Sequence, residues 1–192
     1  MITKRSPNSR LINQSLVDEI AKGLLENNHY SLIGPRNIGK SLLIDEVKKK
    51  LKPKVDHGYV HIIEIDLRKE KFLSNRDFIK RIASLLNVKP IMRFPRFSRL
   101  SEIILKLISR RIKNKKGRII FLFKDLVGLK VHMAREILSV LSVCHLETSL
   151  KSRVASIVSG GVDLIPLVQG KYSPFRFSKQ FSIEGLDKDF IL

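Results

Sequence analysis

The chain has 192 residues, 43% of them hydrophobic, which is enough for one substantial core and suits a single domain, with at most a fragment of a second. Lysine and arginine total 37 against 18 aspartate and glutamate; the resulting net charge of +19 makes polyanions natural partners, with solvated charged surface as the plainer alternative. Cys144 is the only cysteine, so an intramolecular disulfide framework and a multi-cysteine zinc site are excluded, and no apolar run is long enough for a membrane span. The expectation is a soluble, cytoplasmic protein with no membrane partner.

Residues 1–12 read as a basic flexible arm and 13–192 as one core domain. Leu16, Val17, Ile20, Ala21, Leu24 and Leu25 recur at helical spacing, which predicts a helix over 14–26 stopped by Asn27 and Asn28. HYSLI (29–33) is a short apolar strand that runs straight into Gly34. The segment KSLLIDEVKKKLK then has the helical period and is expected to stop near Pro53.

YVHIIEIDL (59–67) is rich in β-branched residues and reads as a buried strand. Ser74, with Asp77 three residues on, resembles a capping box for a helix through Leu86, and a second helix follows over 98–112. RIIFLF (118–123) has the composition of a strand in the middle of a parallel sheet. A helix over 131–147, a strand RVASIVS (153–159), a short helix within 162–168 and a weaker strand KQFSIEGL (179–186) complete the order. Strands alternating with helices predict an α/β three-layer sandwich: a parallel sheet of about five strands with helices on both faces.

Gly34-Pro35-Arg36-Asn37-Ile38-Gly39-Lys40-Ser41 fits the phosphate-binding pattern G-x-x-x-x-G-K-[ST] and sits between a predicted strand and a predicted helix, as that pattern requires. Glycine at 34 and 39 permits the close backbone approach by which successive amides, from about Asn37 to Ser41, can face phosphate oxygens. The helix start at Lys40 and Leu42 adds its positive end, Lys40 would reach the β and γ phosphates, and Ser41 would ligate Mg²⁺. Arg36 is placed to touch phosphate or to cover the loop. The five histidines show no metal-ligand spacing, and His61 reads as structural.

With RIIFLFKDLVGL (118–129) added to GPRNIGKSLL, the chain resembles the AAA-like P-loop ATPases of bacterial and archaeal signalling and conflict proteins, relatives of the STAND switch ATPases. SIVSGGVDLIPL and SPFRFSKQFSIEGL are similar to that family's later segments. The resemblance implies ATP and Mg²⁺ as cofactors. It aligns Lys124 with the family's metal-shell aspartate and Asp125 with its catalytic glutamate. Ser159 falls at the place of a polar sensor near the γ-phosphate, with a satisfied strand-end hydroxyl as the alternative. Arg153 and Arg176 are candidates for a trans-acting arginine finger.

The ammonium at 124 departs from the family pattern. Either Asp125, together with Ser41, has taken over the metal, with hydrolysis slow or lost, or Lys124 itself contacts phosphate. On the second reading the protein binds nucleotide without Mg²⁺-dependent turnover; binding with weak hydrolysis is the favoured reading.

Two basic runs stand apart from the loop: KKKLKPK, with Lys48, Lys49 and Lys50, and RRIKNKKGR, with Arg110, Arg111, Lys113, Lys115 and Lys116. Both are expected at the sheet rim opposite the nucleotide, where they make a candidate polyanion surface. RFPRFSR (93–99) interleaves Phe94 and Phe97 with arginines, a pattern suited either to stacking on single-stranded bases or to stapling a loop. The alternative function is therefore a non-enzymatic nucleic-acid-binding module on a degenerate ATPase scaffold. Family members continue into a lid and further domains, whereas this sequence ends at LDKDFIL; it reads as a piece of a longer protein or as a minimal core acting in an oligomer or larger assembly.

Overall fold

The computed structural model describes residues 13–72, 74–89, 99–114, 117–171 and 173–183. The arm at 1–12, the segment 93–98, Lys115, Lys116 and the end of the last predicted strand lie outside these residues.

Helix α1 (Gln14–Leu25) opens on Asn13, whose side chain accepts the Leu16 amide, and turns Val17, Ile20, Ala21 and Leu24 inward. Strand β1 (His29–Ile33) is buried along its whole length. Helix α2 (Lys40–Asp56) continues through Pro53, where the sequence predicted a stop. Proline removes one amide close to the helix end, and the last turn is retained; Gly58, at φ +73°, reverses the chain instead.

Strand β2 (Val60–Asp66) leads to α3 (Asn75–Leu85), where Ser74 accepts the Asp77 amide at 3.2 Å as the capping pattern predicts. Helix α4 (Leu100–Asn114) precedes β3 (Arg118–Lys124). Helices α5 (Val131–Leu146) and α6 (Thr148–Lys151) lead into β4 (Val154–Gly160); α7 (Ile165–Val168) and β5 (Lys179–Ser182) follow.

The five strands form one parallel sheet in the order β2-β3-β4-β1-β5. β4 is the middle strand, and β3, the strand expected there, lies one place to its side; both are paired on both edges, so their apolar composition has the same cause. Residues alternate across the sheet. Ile120, Leu122 and Ile157 pack with α1 and α2, while Phe121, Phe123 and Val158 pack with α3, α4 and α5. These are the three layers predicted from the sequence. Because β1, β3 and β4 end together at one rim, the loops that follow them meet there.

Candidate nucleotide-binding site

The turn after β1 is shaped by two glycines for different reasons. A Cβ on Gly34 would lie 2.3 Å from the Ile183 carbonyl oxygen, at the point where the Ile183 amide donates to the Ile33 carbonyl. Gly34 therefore lets the chain beyond β5 close against the loop. Gly39 has open space around it but sits at φ +99°, a backbone that side chains other than glycine adopt with strain. It begins α2 without a side-chain cap, which leaves the first amides of a 17-residue helix to the site.

A cavity of about 530 Å³ opens at this rim. The loop contributes Arg36, Asn37, Gly39, Lys40, Ser41 and Leu42; Arg68, Asp125 and Ser159 line it from the ends of other strands. Gly34, Pro35 and Ile38 complete the loop without lining the cavity. Lys40 Nζ folds back to donate to the carbonyls of Gly34 at 2.7 Å and Pro35 at 2.5 Å. Burial pushes the Lys40 ammonium below its ordinary pKa; the Asp125 carboxylate opposes that shift and Arg68 adds to it.

Asp125 follows β3 at φ 58°, in the left-handed region that aspartate tolerates better than most side chains. Its amide donates to Ser159 Oγ at 3.3 Å, and that hydroxyl faces the Phe123 carbonyl at 3.4 Å. Ser159 thus joins the ends of β4 and β3 while also bordering the cavity.

Lys124 does not line the cavity. Its side chain is 5% exposed and its ammonium pairs with Asp45 on α2 at 2.5 Å and Glu64 on β2 at 2.6 Å. Lys48 pairs with the second Glu64 oxygen. Burial disfavours the Lys124 charge, but the hydrogen bonds to Asp45 and Glu64 prevail and its pKa is raised; Glu64 is lowered for the reciprocal reason. Direct phosphate contact by Lys124, one of the two readings of the sequence, is thereby corrected: the two carboxylates hold it against α2. With Lys48 on Glu64, two ammonium groups balance the two carboxylates of this cluster.

Sequence reasoning missed Asp45, Glu64, Asp66 and Arg68. Asp66, register partner of Lys124 across β2 and β3, accepts Arg68 Nε at 3.0 Å and Nη2 at 2.8 Å. The Arg68 hydrogen bonds hold Asp66 below the usual carboxylate range. The signal was present in VHIIEID: carboxylates two apart on a largely buried strand fall on one face and require cations beside them.

Among the described residues no group of three or more histidine, cysteine or acidic side chains could hold a metal ion. The oxygen-bearing side chains that line the cavity are those of Asn37, Ser41, Asp125 and Ser159, and Asp125 is the one carboxylate among these lining residues. They fit a divalent ion only as part of a shell completed by phosphate and water. For the phosphates themselves the fit is better: an uncapped helix start, a glycine at positive φ, and Arg36, Lys40 and Arg68 around one cavity.

The remaining candidates lie elsewhere. Arg153 donates to the carbonyls of Gly117 and Ile112 at the starting edge of the sheet, where it closes the end of α4. Lys49 and Lys50 pair with Glu46 and Asp18. Arg111 meets Gly58, Gly117 and Arg118 around a small pocket at the starting edge, as expected for that run, and Arg110 and Lys113 border a groove on α4. His61 bonds the Leu85 carbonyl at 2.6 Å, a structural role. His29 and His145 lie in an aromatic cluster with Phe175 and Phe177.

The fold is a three-layer α/β domain with a parallel five-stranded sheet, and the loop with the phosphate-binding spacing joins β1 to α2 at its strand-end rim. No family model matches the chain, and no curated protein matches it. Among solved structures it is similar to the Aeropyrum pernix ORC1 protein in complex with DNA, with a TM-score of 0.66 and 12% identity over 89% of this chain and 44% of that one. It is also similar to the Aeropyrum pernix ORC2 protein in its ADPNP-ADP complexes, at TM-score 0.59 and 13% identity over 93% of this chain and 48% of that one. Drosophila ORC bound to DNA aligns at TM-score 0.58 and 12% identity over 88% of this chain and 42% of that one. The chain thus spans less than half the length of each of these proteins. Among the described residues, no helix is long and apolar enough to cross a membrane.

Proposed function

We propose that the chain is an ATP-binding AAA-like domain that acts as a nucleotide-dependent switch with weak or impaired hydrolysis. Lys40 and the loop amides hold the phosphates, Ser41 and Asp125 hold Mg²⁺, and Ser159 senses the γ-phosphate through the Asp125 turn it already supports. Mg²⁺ would supply electrostatic stabilisation of the transferring phosphoryl group. The observation that carries the reading is Lys124: at the place of the metal-shell carboxylate stands a buried ammonium tied to Asp45 and Glu64. Asp125 alone is left to serve both metal and water. The similarity to ORC2 in its ADPNP-ADP complexes supports the nucleotide. The narrower kinship to STAND switches rests on the sequence segments alone.

The test restores the carboxylate. Lys124→Asp by itself would set three acidic groups together, so it is combined with Asp45→Asn and Glu64→Gln. Faster phosphate release in the triple variant than in wild type supports a disabled catalytic strand. Unchanged release from a folded triple variant that still binds ATP refutes it.

A second reading has its own observation. Lys106, Arg110 and Lys113 fall along one groove of α4, and none of the three has a carboxylate partner among the described residues. A non-enzymatic nucleic-acid-binding module would use that face, and the similarity to ORC structures holding DNA supports it. That reading requires DNA or RNA binding to survive Lys40→Ala.

A further inference from the structure

We propose that Arg68 is a phosphate-contacting residue that supplies, from within the chain, positive charge to a nucleoside triphosphate seated in the Gly34–Ser41 loop, so that triphosphate binding depends little on a divalent cation. The inference rests on the nucleotide reading of that loop.

Arg68 lies just beyond β2 and lines the same cavity as Lys40, Ser41 and Asp125. Asp66 fixes it by a two-pronged pair through Nε and Nη2, and Asp66 Oδ1 also accepts the Arg68 backbone amide at 3.2 Å. A guanidinium held on one edge keeps its other edge for a second acceptor, and the planar fork suits phosphate oxygens. Among the described residues nothing accepts from Arg68 Nη1. The side chain is 45% exposed while Asp66 is 11% exposed, so the anchor is sheltered and the free edge is open.

The neighbouring charges leave this role vacant. Lys124, at the strand end beside Asp66, is committed to Asp45 and Glu64. Lys40 is engaged with the Gly34 and Pro35 carbonyls and must swing to reach a ligand. Arg68 is already in place. The residue that pairs with the last residue of β3 in the sheet register is Asp66, and it carries a cation of the chain itself. Electrostatic complementarity to the triphosphate then comes from Arg36, Lys40 and Arg68, and Mg²⁺ at Ser41 and Asp125 adds to affinity without creating it.

The test is ATP and ADP titration of the full chain by calorimetry, in excess Mg²⁺ and again in EDTA. Wild type is expected to lose less than about threefold in ATP affinity in EDTA, whereas Arg68→Ala loses about tenfold or more there, the scale of one charge-assisted phosphate contact. ADP should respond less than ATP. Because Arg68→Ala strands Asp66, the pair Arg68→Ala with Asp66→Asn is measured beside it, and Arg68→Lys is expected to recover part of the loss. The proposal is overturned if the folded double variant binds ATP in EDTA as wild type does, or if wild type needs Mg²⁺ to bind. In either case Lys40-dependent binding in Mg²⁺ would leave the loop reading standing. Absence of wild-type ATP binding in both buffers overturns the loop reading and this one together.

Discussion

Lys124 Nζ, at the end of β3, lies 2.5 Å from Asp45 Oδ1 on α2, one turn beyond the loop serine. With Glu64 it forms an ion cluster in which the ammonium is buried while Asp45 is half-exposed. The cluster ties β3 to α2 at the position that the sequence resemblance aligns with a metal-shell aspartate. Under the proposed function, the residue that fastens strand to helix is also the one that weakens hydrolysis.

Lys124→Ala leaves Asp45 and Glu64 facing each other without their shared cation. Breaking a buried pair costs about 3–5 kcal/mol, and the half-exposure of Asp45 reduces that to an expected loss of about 2 kcal/mol. Replacing all three residues, as Lys124→Met with Asp45→Asn and Glu64→Gln, should return stability to within about 1 kcal/mol of wild type. Urea denaturation of the three proteins measures both values.

Two glycines of the loop should fail differently. Gly34→Ala places a Cβ against the Ile183 carbonyl and is expected to lower thermal stability by displacing the chain after β5. Gly39→Ala meets no neighbour, but its φ of +99° imposes roughly 1–2 kcal/mol of strain at the start of α2. ATP titration should find affinity reduced in both, while only Gly34→Ala weakens protection of β5 amides from hydrogen exchange.

Acid should act first through His29. Its side chain is buried, Nδ1 bonds Ser156 Oγ at 2.8 Å, and burial pushes its pKa down to about 3, with nearby His145 contributing. A histidine depressed in the fold makes the unfolded chain the better proton acceptor. Stability is then full above about pH 6.5, the unfolded value, and falls as pH drops toward about 3. Glu64 and Asp66, both lowered, add their losses only below the ordinary carboxylate range. Denaturation midpoints of wild type and of His29→Leu with Ser156→Ala, followed from pH 7.5 to 4.5, should diverge in slope below about pH 6.5.

The basic surface divides by pairing. Lys48, Lys49 and Lys50 each have a carboxylate partner, whereas Arg110 and Lys113 have none among the described residues. Exchanging Arg110, Arg111 and Lys113 for glutamine should shorten heparin retention and flatten the salt dependence of nucleic-acid binding more than the same exchange at 48–50. Equal effects would show that local pairing does not set the surface.

The sheet was legible because its strands are short apolar runs separated by helical periods, and the loop because Gly34, Gly39, Lys40 and Ser41 keep fixed spacings between strand and helix. Pro53 misled because a proline near a helix end removes one hydrogen bond without forcing a stop. Lys124 was legible as an anomaly, but its partners were not: Asp45, Glu64 and Lys124 belong to three elements, and only the β2–β3 register and the packing of α2 bring them together. Arg68 was hidden because nothing in a lone arginine two residues after an aspartate indicates which cavity its free edge enters.

The central claim is that the Gly34–Ser41 loop binds nucleotide beside a catalytic strand disabled by Lys124. Calorimetric titration of wild type and Lys40→Ala with ATP in Mg²⁺, with phosphate release followed in the same samples, tests it most directly. The account predicts saturable binding lost in Lys40→Ala, with turnover at least about a hundredfold below the 10 s⁻¹ of a median enzyme. Wild-type binding that persists unchanged in Lys40→Ala, or turnover at an ordinary enzymatic rate, would contradict it.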